Sequence, residues 1–257
     1  MTDEQAAGTT PRTHEGRAAV VTGAARGIGQ ALCRGLAENG ADVIGVDLED
    51  LRETGAAVEK AGARWIAAQV DVTDAHAMAE LATEVEDQLG GTHILINNAA
   101  IDDPISWDEL DLDHWRRVLA VDLEAPFLTC KAFVPQMRAA GWGRIVNIAS
   151  GSVLRAMPRF VAYRAAKMGL IGFTRALASE VGPDGITVNV ASPGITVTKM
   201  ALGSLDPEVV ETESSRRAIP RIGEPDDMVG TVLFLTAEAS AFVTGQTLLP
   251  NGGAAFV

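Results

Sequence analysis

The chain has 257 residues, of which 47% are hydrophobic and 21% charged, and its formal charge is −13. That apolar fraction is enough for a sizeable core, and the length suits one α/β domain. The acid excess argues against nucleic acid or an anionic membrane surface as a partner. No apolar run approaches the length of a membrane span. The opening Met-Thr-Asp-Glu-Gln has neither a basic start nor an apolar stretch, so no secretory signal is expected. Cys33 and Cys130 lack ligand spacing and predict reduced thiols in a cytoplasmic protein, with Cys33 in the core. His14, His76, His93 and His114 are scattered, and no metal site is expected.

Residues 1–15 are polar and without period, which predicts a loose N-terminal tail. Residues 16–257 then read as a single domain. Short apolar runs at 18–22, 42–47, 65–70, 93–97, 144–149, 186–191 and 246–249 predict about seven strands, several apolar enough to be buried on both faces. Helical patterns lie between them at 27–39, 50–61, 74–89, 113–140, 159–181 and 225–237. Pro126 and Pro135 are expected to bend or break the 113–140 pattern. The β-α alternation predicts a doubly wound parallel sheet with right-handed crossovers and helices on both faces. Residues 204–221 are charged and poorly patterned, either a surface excursion or a mobile lid.

Three features carry chemistry. The first predicted strand runs into Thr22-Gly23-Ala24-Ala25-Arg26-Gly27-Ile28-Gly29 and then a helix. Glycines at such a turn let the backbone approach a pyrophosphate, and the helix N-terminus offers free N–H groups to its charge. Asp47 ends the second strand 18 residues after Gly29. An acid there hydrogen-bonds a ribose diol and repels a 2′-phosphate by a few kcal/mol, taking about 4 Å and an effective dielectric of about 20. Leu48 follows and is not a base, so NAD is expected over NADP; Arg26 is the counterweight, being able to meet a 2′-phosphate. Finally, the only tyrosine, Tyr163, stands four residues before Lys167, on the same helix face. A neighbouring ammonium is expected to lower the phenol pKa and make Tyr163 a general acid/base.

With these residues in hand, the chain resembles the short-chain dehydrogenase/reductase family over about residues 17–253. Gly23, Gly27 and Gly29 match the family's cofactor loop, and Asp71-Val72 matches its adenine-contacting pair. Asn97-Asn98-Ala99-Ala100 resembles the segment after the fourth strand, with Ala100 where the family has glycine. Ser150 lies 13 residues before Tyr163, at the place of the family's catalytic serine. Pro193, Gly194, Ile195 and Thr198 resemble the segment that touches the nicotinamide, and Asn251-Gly252-Gly253 the family's closing Asp-Gly-Gly. One departure stands out. Asp122 occupies the position of the family's fourth catalytic residue, an asparagine. It accepts hydrogen bonds when ionised but cannot donate as an amide does. Two roles stay open for it: support of Lys167, or a helix surface residue.

The resemblance implies a Rossmann-type single domain that interconverts a secondary, ring or aryl alcohol and its carbonyl compound by hydride transfer with NAD. Tyr163 is then the acid/base, Lys167 holds the nicotinamide ribose and Ser150 orients the substrate oxygen. The alternative for Ser150 is a strand-end residue bonding its own backbone. Family position places Ile101, Ser152, Val153, Leu154, Met157, Phe160 and Ile195, with parts of a loop near 199–221, around the substrate. Most are apolar, which favours a hydrophobic or aromatic alcohol over a polyanionic one; Asp102 and Asp103 leave open a hydroxyl-rich or cationic substrate, or are solvated. Residues 107–115 resemble dehydrogenases of ring alcohols, pyridoxal among them. The 159–181 helix is apolar nearly all round, which predicts a partner subunit; the family implies a homotetramer. The competing readings are a 3-oxoacyl-[acyl-carrier-protein] reductase, which needs to dock an acidic carrier, and an NAD-sensing regulator without turnover.

Overall fold

The computed structural model describes residues 13–155, 157–204 and 206–256. Seven parallel strands form one sheet in the order β3-β2-β1-β4-β5-β6-β7. They are β1 (Ala18–Thr22), β2 (Asp42–Val46), β3 (Trp65–Ala68), β4 (Ile94–Asn97), β5 (Gly143–Ile148), β6 (Ile186–Ala191) and β7 (Thr247–Leu248). All seven expected strands are present, several a residue or two shorter than the apolar runs.

Alternate residues along each strand feed opposite layers. On one face, Val20, Ile44, Leu95, Ile145 and Val188 pack with Met78, Phe133 and Ala178. Those three come from α3 (Ala75–Leu89), α5 (Ala125–Ala140) and α6 (Val161–Val181). On the other, Val21, Val43, Ile96 and Val146 meet Leu32, Val58 and Leu235. These belong to α1 (Gly27–Glu38), α2 (Arg52–Lys60) and α9 (Val229–Thr236). Two buried layers explain why β1 and β4–β6 are buried along their whole length and carry apolar residues on both faces. The strand order reverses between β1 and β4, and the crevice beyond their C-terminal ends is where such sheets bind ligands.

The 113–140 pattern differs from expectation in an informative way. The prolines do not break it. Pro126 lies in the first turn of α5, where its missing N–H costs little, and Pro135 sits on the exposed side. The interruption comes earlier, as one turn of π-helix at Ala120–Glu124 between α4 (Leu112–Leu119) and α5. The wider turn brings Asp122 inward, 0% exposed, so it is not a surface residue.

Residues 204–221 are not without structure: α7 (Lys199–Ser204) leads into them and α8 (Pro207–Ser215) lies within them, capped by Asp206. At the other terminus, residues 1–12 of the expected tail lie outside the described residues. His14 belongs to the fold, with Nε2 2.8 Å from Thr236 Oγ1 on α9. Its burial holds the imidazole down at about 4. Among the described residues, no helix is long and apolar enough to cross a membrane.

Candidate active site

The glycine loop is built by backbone crowding. Gly23 has φ 65°, and a Cβ there would stand 2.8 Å from Asn98 Nδ2. A Cβ on Gly29 would stand 2.0 Å from Gly23 O, so only glycine fits. Asn98 holds the loop in place by donating its amide to Thr22 O and Gly23 O at 2.9 and 3.1 Å. Thr22 Oγ1 in turn accepts from the N–H groups of Asn98 and Ala99, both at 3.0 Å. Thr22 opens the loop motif in the sequence, but its bracing role is not legible there.

A cavity of about 480 Å³ opens over this loop. It is lined by Gly23, Arg26, Gly27, Ile28, Asp47, Leu48, Asp71, Val72, Asn98, Tyr163, Lys167, Pro193 and Thr198, all expected at the cofactor. Gly29 is buried beneath the loop and shapes it rather than lining it. Gly194 and Ile195 line the neighbouring, smaller cavity instead. Ile101, expected at the substrate, faces the larger one. The residues fit a dinucleotide: a glycine cradle at a helix N-terminus, and a carboxylate at the end of β2. Asp47 Oδ2 accepts from Ala25 N at 2.9 Å and Oδ1 from Glu49 N at 3.0 Å, which fixes the acid beside the loop. Arg26 is ion-paired with Glu49, so its charge is already met.

The smaller cavity, about 160 Å³, adjoins the larger. Ile28, Tyr163, Pro193, Thr198 and Met200 line both, so the two meet at the phenol. Ser150, Ser152, Met157 and Phe160 line the smaller one as expected. Leu154 does not: it points outward, 38% exposed. Val153 packs instead against Ala149, Ile171 and Val190. The cavity also contains Asp102, Arg155, Glu213, Arg217, Ala254 and Ala255, none of which has a motif to announce it. Arg155 pairs with Glu213 and donates to Ala254 O, tying α8 and the C-terminal segment to the loop after β5.

Ser150 Oγ is 2.9 Å from Ser152 Oγ and accepts from Ser152 N at 3.2 Å. The capping role and the place in the cavity therefore coexist. Lys167, 2% exposed, donates to Ile148 O at 3.1 Å and stands 3.3 Å from Asp122 Oδ2. Asp122 Oδ1 accepts from Ile101 N at 2.8 Å. The ammonium lies 5.7 Å from the centre of the Tyr163 ring.

These contacts reverse one expectation. The protein's own groups push the Tyr163 phenol up rather than down. Burial is the main cause and the Asp122 carboxylate the next; the Ser150 hydroxyl opposes them, and Asp102 adds to the rise. The lysine's charge is largely met by a carboxylate one step behind it, so the helix spacing alone misjudged its field. Burial likewise pushes Asp122 up, while Lys167 and the Ile101 N–H draw it back.

Comparison with known proteins agrees with this geometry. A family model described as enoyl-(acyl carrier protein) reductase matches residues 23–255. The cis-4-hydroxycyclohexanecarboxylate dehydrogenase of Sinomonas cyclohexanicum is 38% identical, covering 92% of this chain and 96% of its own. Carveol dehydrogenase from Mycobacterium avium, solved in complex with NAD, superposes with a TM-score of 0.88 at 31% identity, covering 95% of this chain and 99% of its own. A gluconate 5-dehydrogenase assigned in Beutenbergia cavernae, solved with NADP at low occupancy, gives a TM-score of 0.89 at 36% identity, again over 95% and 99%. The chain is a member of the short-chain dehydrogenase/reductase family, an oxidoreductase of the CH–OH class.

Proposed function

We propose that the chain interconverts a secondary alcohol and its carbonyl compound with NAD in preference to NADP, and that Tyr163 moves the proton. The observation that carries this reading is that Tyr163 lines both the nucleotide and the alcohol cavity. When bound, the nicotinamide supplies the hydride acceptor and, in its oxidised form, a positive charge. Tyr163 takes the proton of the substrate hydroxyl in oxidation and returns it in reduction. The Ser150 hydroxyl turns from Ser152 to the substrate oxygen and orients it. Lys167 holds the ribose, and Asp122 holds Lys167 as a positioning residue that touches neither substrate nor cofactor.

The preference for NAD is supported by Asp47 beside the loop and by Glu49, which occupies Arg26. The same acids, with a charge of −13, weigh against the second reading, a carrier-protein reductase suggested by the description of the matching family. A sensor without turnover would have no use for Ser150, Tyr163 and Lys167 together. The outward faces of α5 and α6 carry exposed Phe127, Val161 and Met168, which supports a homotetramer built on those helices. Cytoplasmic placement fits two buried free thiols.

The test is a scan of alcohols with NAD and with NADP, following reduced nicotinamide by absorbance, on protein whose mass is read by light scattering. Secondary or ring alcohols are oxidised with NAD, and Tyr163→Phe lowers turnover by about 10²- to 10⁴-fold while NADH still binds. Retained turnover in that variant would remove the proposed acid/base.

A further inference from the structure

The smaller cavity has a largely apolar surface, with Asp102, Arg155, Glu213 and Arg217 also in its lining. Its volume of about 160 Å³ is close to the roughly 150 Å³ that accepts a benzene ring. Ile28, Met157, Phe160, Ile195 and Met200 make much of the wall. Among these charged groups, one guanidinium is met by carbonyl oxygens alone. Arg217 is 6% exposed and lines the same cavity as Tyr163 and Ser150. Its Nη1 donates to Arg221 O at 3.2 Å and its Nη2 to Ile195 O at 2.9 Å, while Nε has no acceptor.

Nearby carboxylates are already taken. Glu213 is bound by Arg155 and stands 3.7 Å from Arg216. Asp227 is held by both Nη atoms of Arg221 at 2.6 Å. Asp102 lines the same cavity and acts on the Tyr163 phenol. Among the described residues, none forms an ion pair with Arg217. Burial, and the like charges of Arg155 and Arg221, disfavour the charged guanidinium, with Asp227 only partly compensating. A buried cation met by carbonyl oxygens alone is costly, and a carboxylate is the partner whose geometry a guanidinium fork fits best.

Resting on the dehydrogenase reading of this cavity, we infer that its substrate is a ring-sized alcohol bearing a carboxylate remote from the reacting carbon, and that Arg217 receives that carboxylate. The bulk of the substrate packs against the apolar wall and its hydroxyl faces Ser150 and Tyr163. The alternative role for Arg217 is a brace for the 194–196 segment, since its Nη2 packs over Gly194 and bonds Ile195 O.

The experiment separates the two. NADH-loaded protein is titrated with cyclohexanecarboxylate and with cyclohexanecarboxamide, following nicotinamide fluorescence. The acid is expected to bind about 10-fold or more tightly than the amide, as one charge-assisted contact provides. In Arg217→Met the acid weakens by about 10-fold or more while the amide changes little, and Arg217→Lys keeps part of the preference. Equal binding of acid and amide, no binding of either, or a parallel loss of both in Arg217→Met overturns the inference. Should the methionine variant fail to fold, the acid-to-amide ratio in the unaltered protein and in Arg217→Lys decides alone. Oxidation of neutral cyclohexanols, measured alongside, shows whether the dehydrogenase reading survives when the carboxylate does not.

Discussion

The two cavities that meet at Tyr163 are made in opposite ways. The nucleotide end is a backbone object: a crowded turn between β1 and α1, flanked by Asp47 and pinned by Asn98 from beyond the end of β4. The alcohol end is a side-chain object, assembled from the 150–160 loop, the 193–201 segment, α8 and the residues after 250. It is held by the long-range pair Arg155–Glu213 and by Arg217 on the carbonyls of Arg221 and Ile195. Local backbone geometry demands particular residues at fixed spacing. Long-range pairing demands only that two charges arrive together, which leaves the rest of each segment free to vary.

That contrast can be broken at several points. The largest effect is expected at Gly29→Ala, because the added methyl would stand 2.0 Å from Gly23 O. The loop must open, and NADH binding weakens by about 100-fold, roughly 3 kcal/mol, in a fluorescence titration. Unchanged affinity would mean that close backbone approach is not what holds the nucleotide.

A middle effect is expected at Asp47→Ala. Removing the acid relieves repulsion of a 2′-phosphate and loses a ribose acceptor, so the ratio of kcat/KM for NAD to that for NADP falls by roughly 10- to 100-fold. A ratio that does not move would assign the preference to another group.

The smallest effect, and the most diagnostic, is expected at Asp122→Asn. The carboxylate raises the phenol, so its loss lets the phenolate form at lower pH. Oxidation needs that phenolate, so the limb along which kcat rises with pH moves to lower pH. Lys167 retains its bond to Ile148 O, and the variant amide can keep its place near Ile101. An unmoved limb would show that Asp122 serves packing only.

The strands were legible because burial on both faces favours apolar runs, although Asn97, Arg144, Asn147 and Asn189 are buried in them too. The glycine loop and Asp47 were legible for the steric reasons already given. Tyr163, Lys167 and Ser150 were found by spacing, but the direction of the phenol's shift was not, because a helix pattern does not register the carboxylate arriving behind the lysine from another helix. The buried chain from Thr129 Oγ1 to Asn97 Oδ1 at 2.7 Å, Asn97 Nδ2 to Asn147 Oδ1 at 2.8 Å and Asn147 Nδ2 to Thr174 Oγ1 at 2.8 Å went unseen for the same reason. Leu154, placed at the substrate by family position, is instead exposed, because position in a motif does not fix which way a side chain in the loop turns.

The π-helical turn at Ala120–Glu124 sets a phase. Each residue of an α-helix advances the side-chain direction by about 100°, so deleting a single residue within that turn would rotate one flanking helix against the other by that amount. Either Asp122 swings out of line with Lys167, or Phe133 and Met137 leave the sheet. The counter-ion and the core can be satisfied together only while the surplus residue remains, so the segment tolerates exchange of side chains far better than any change in its length.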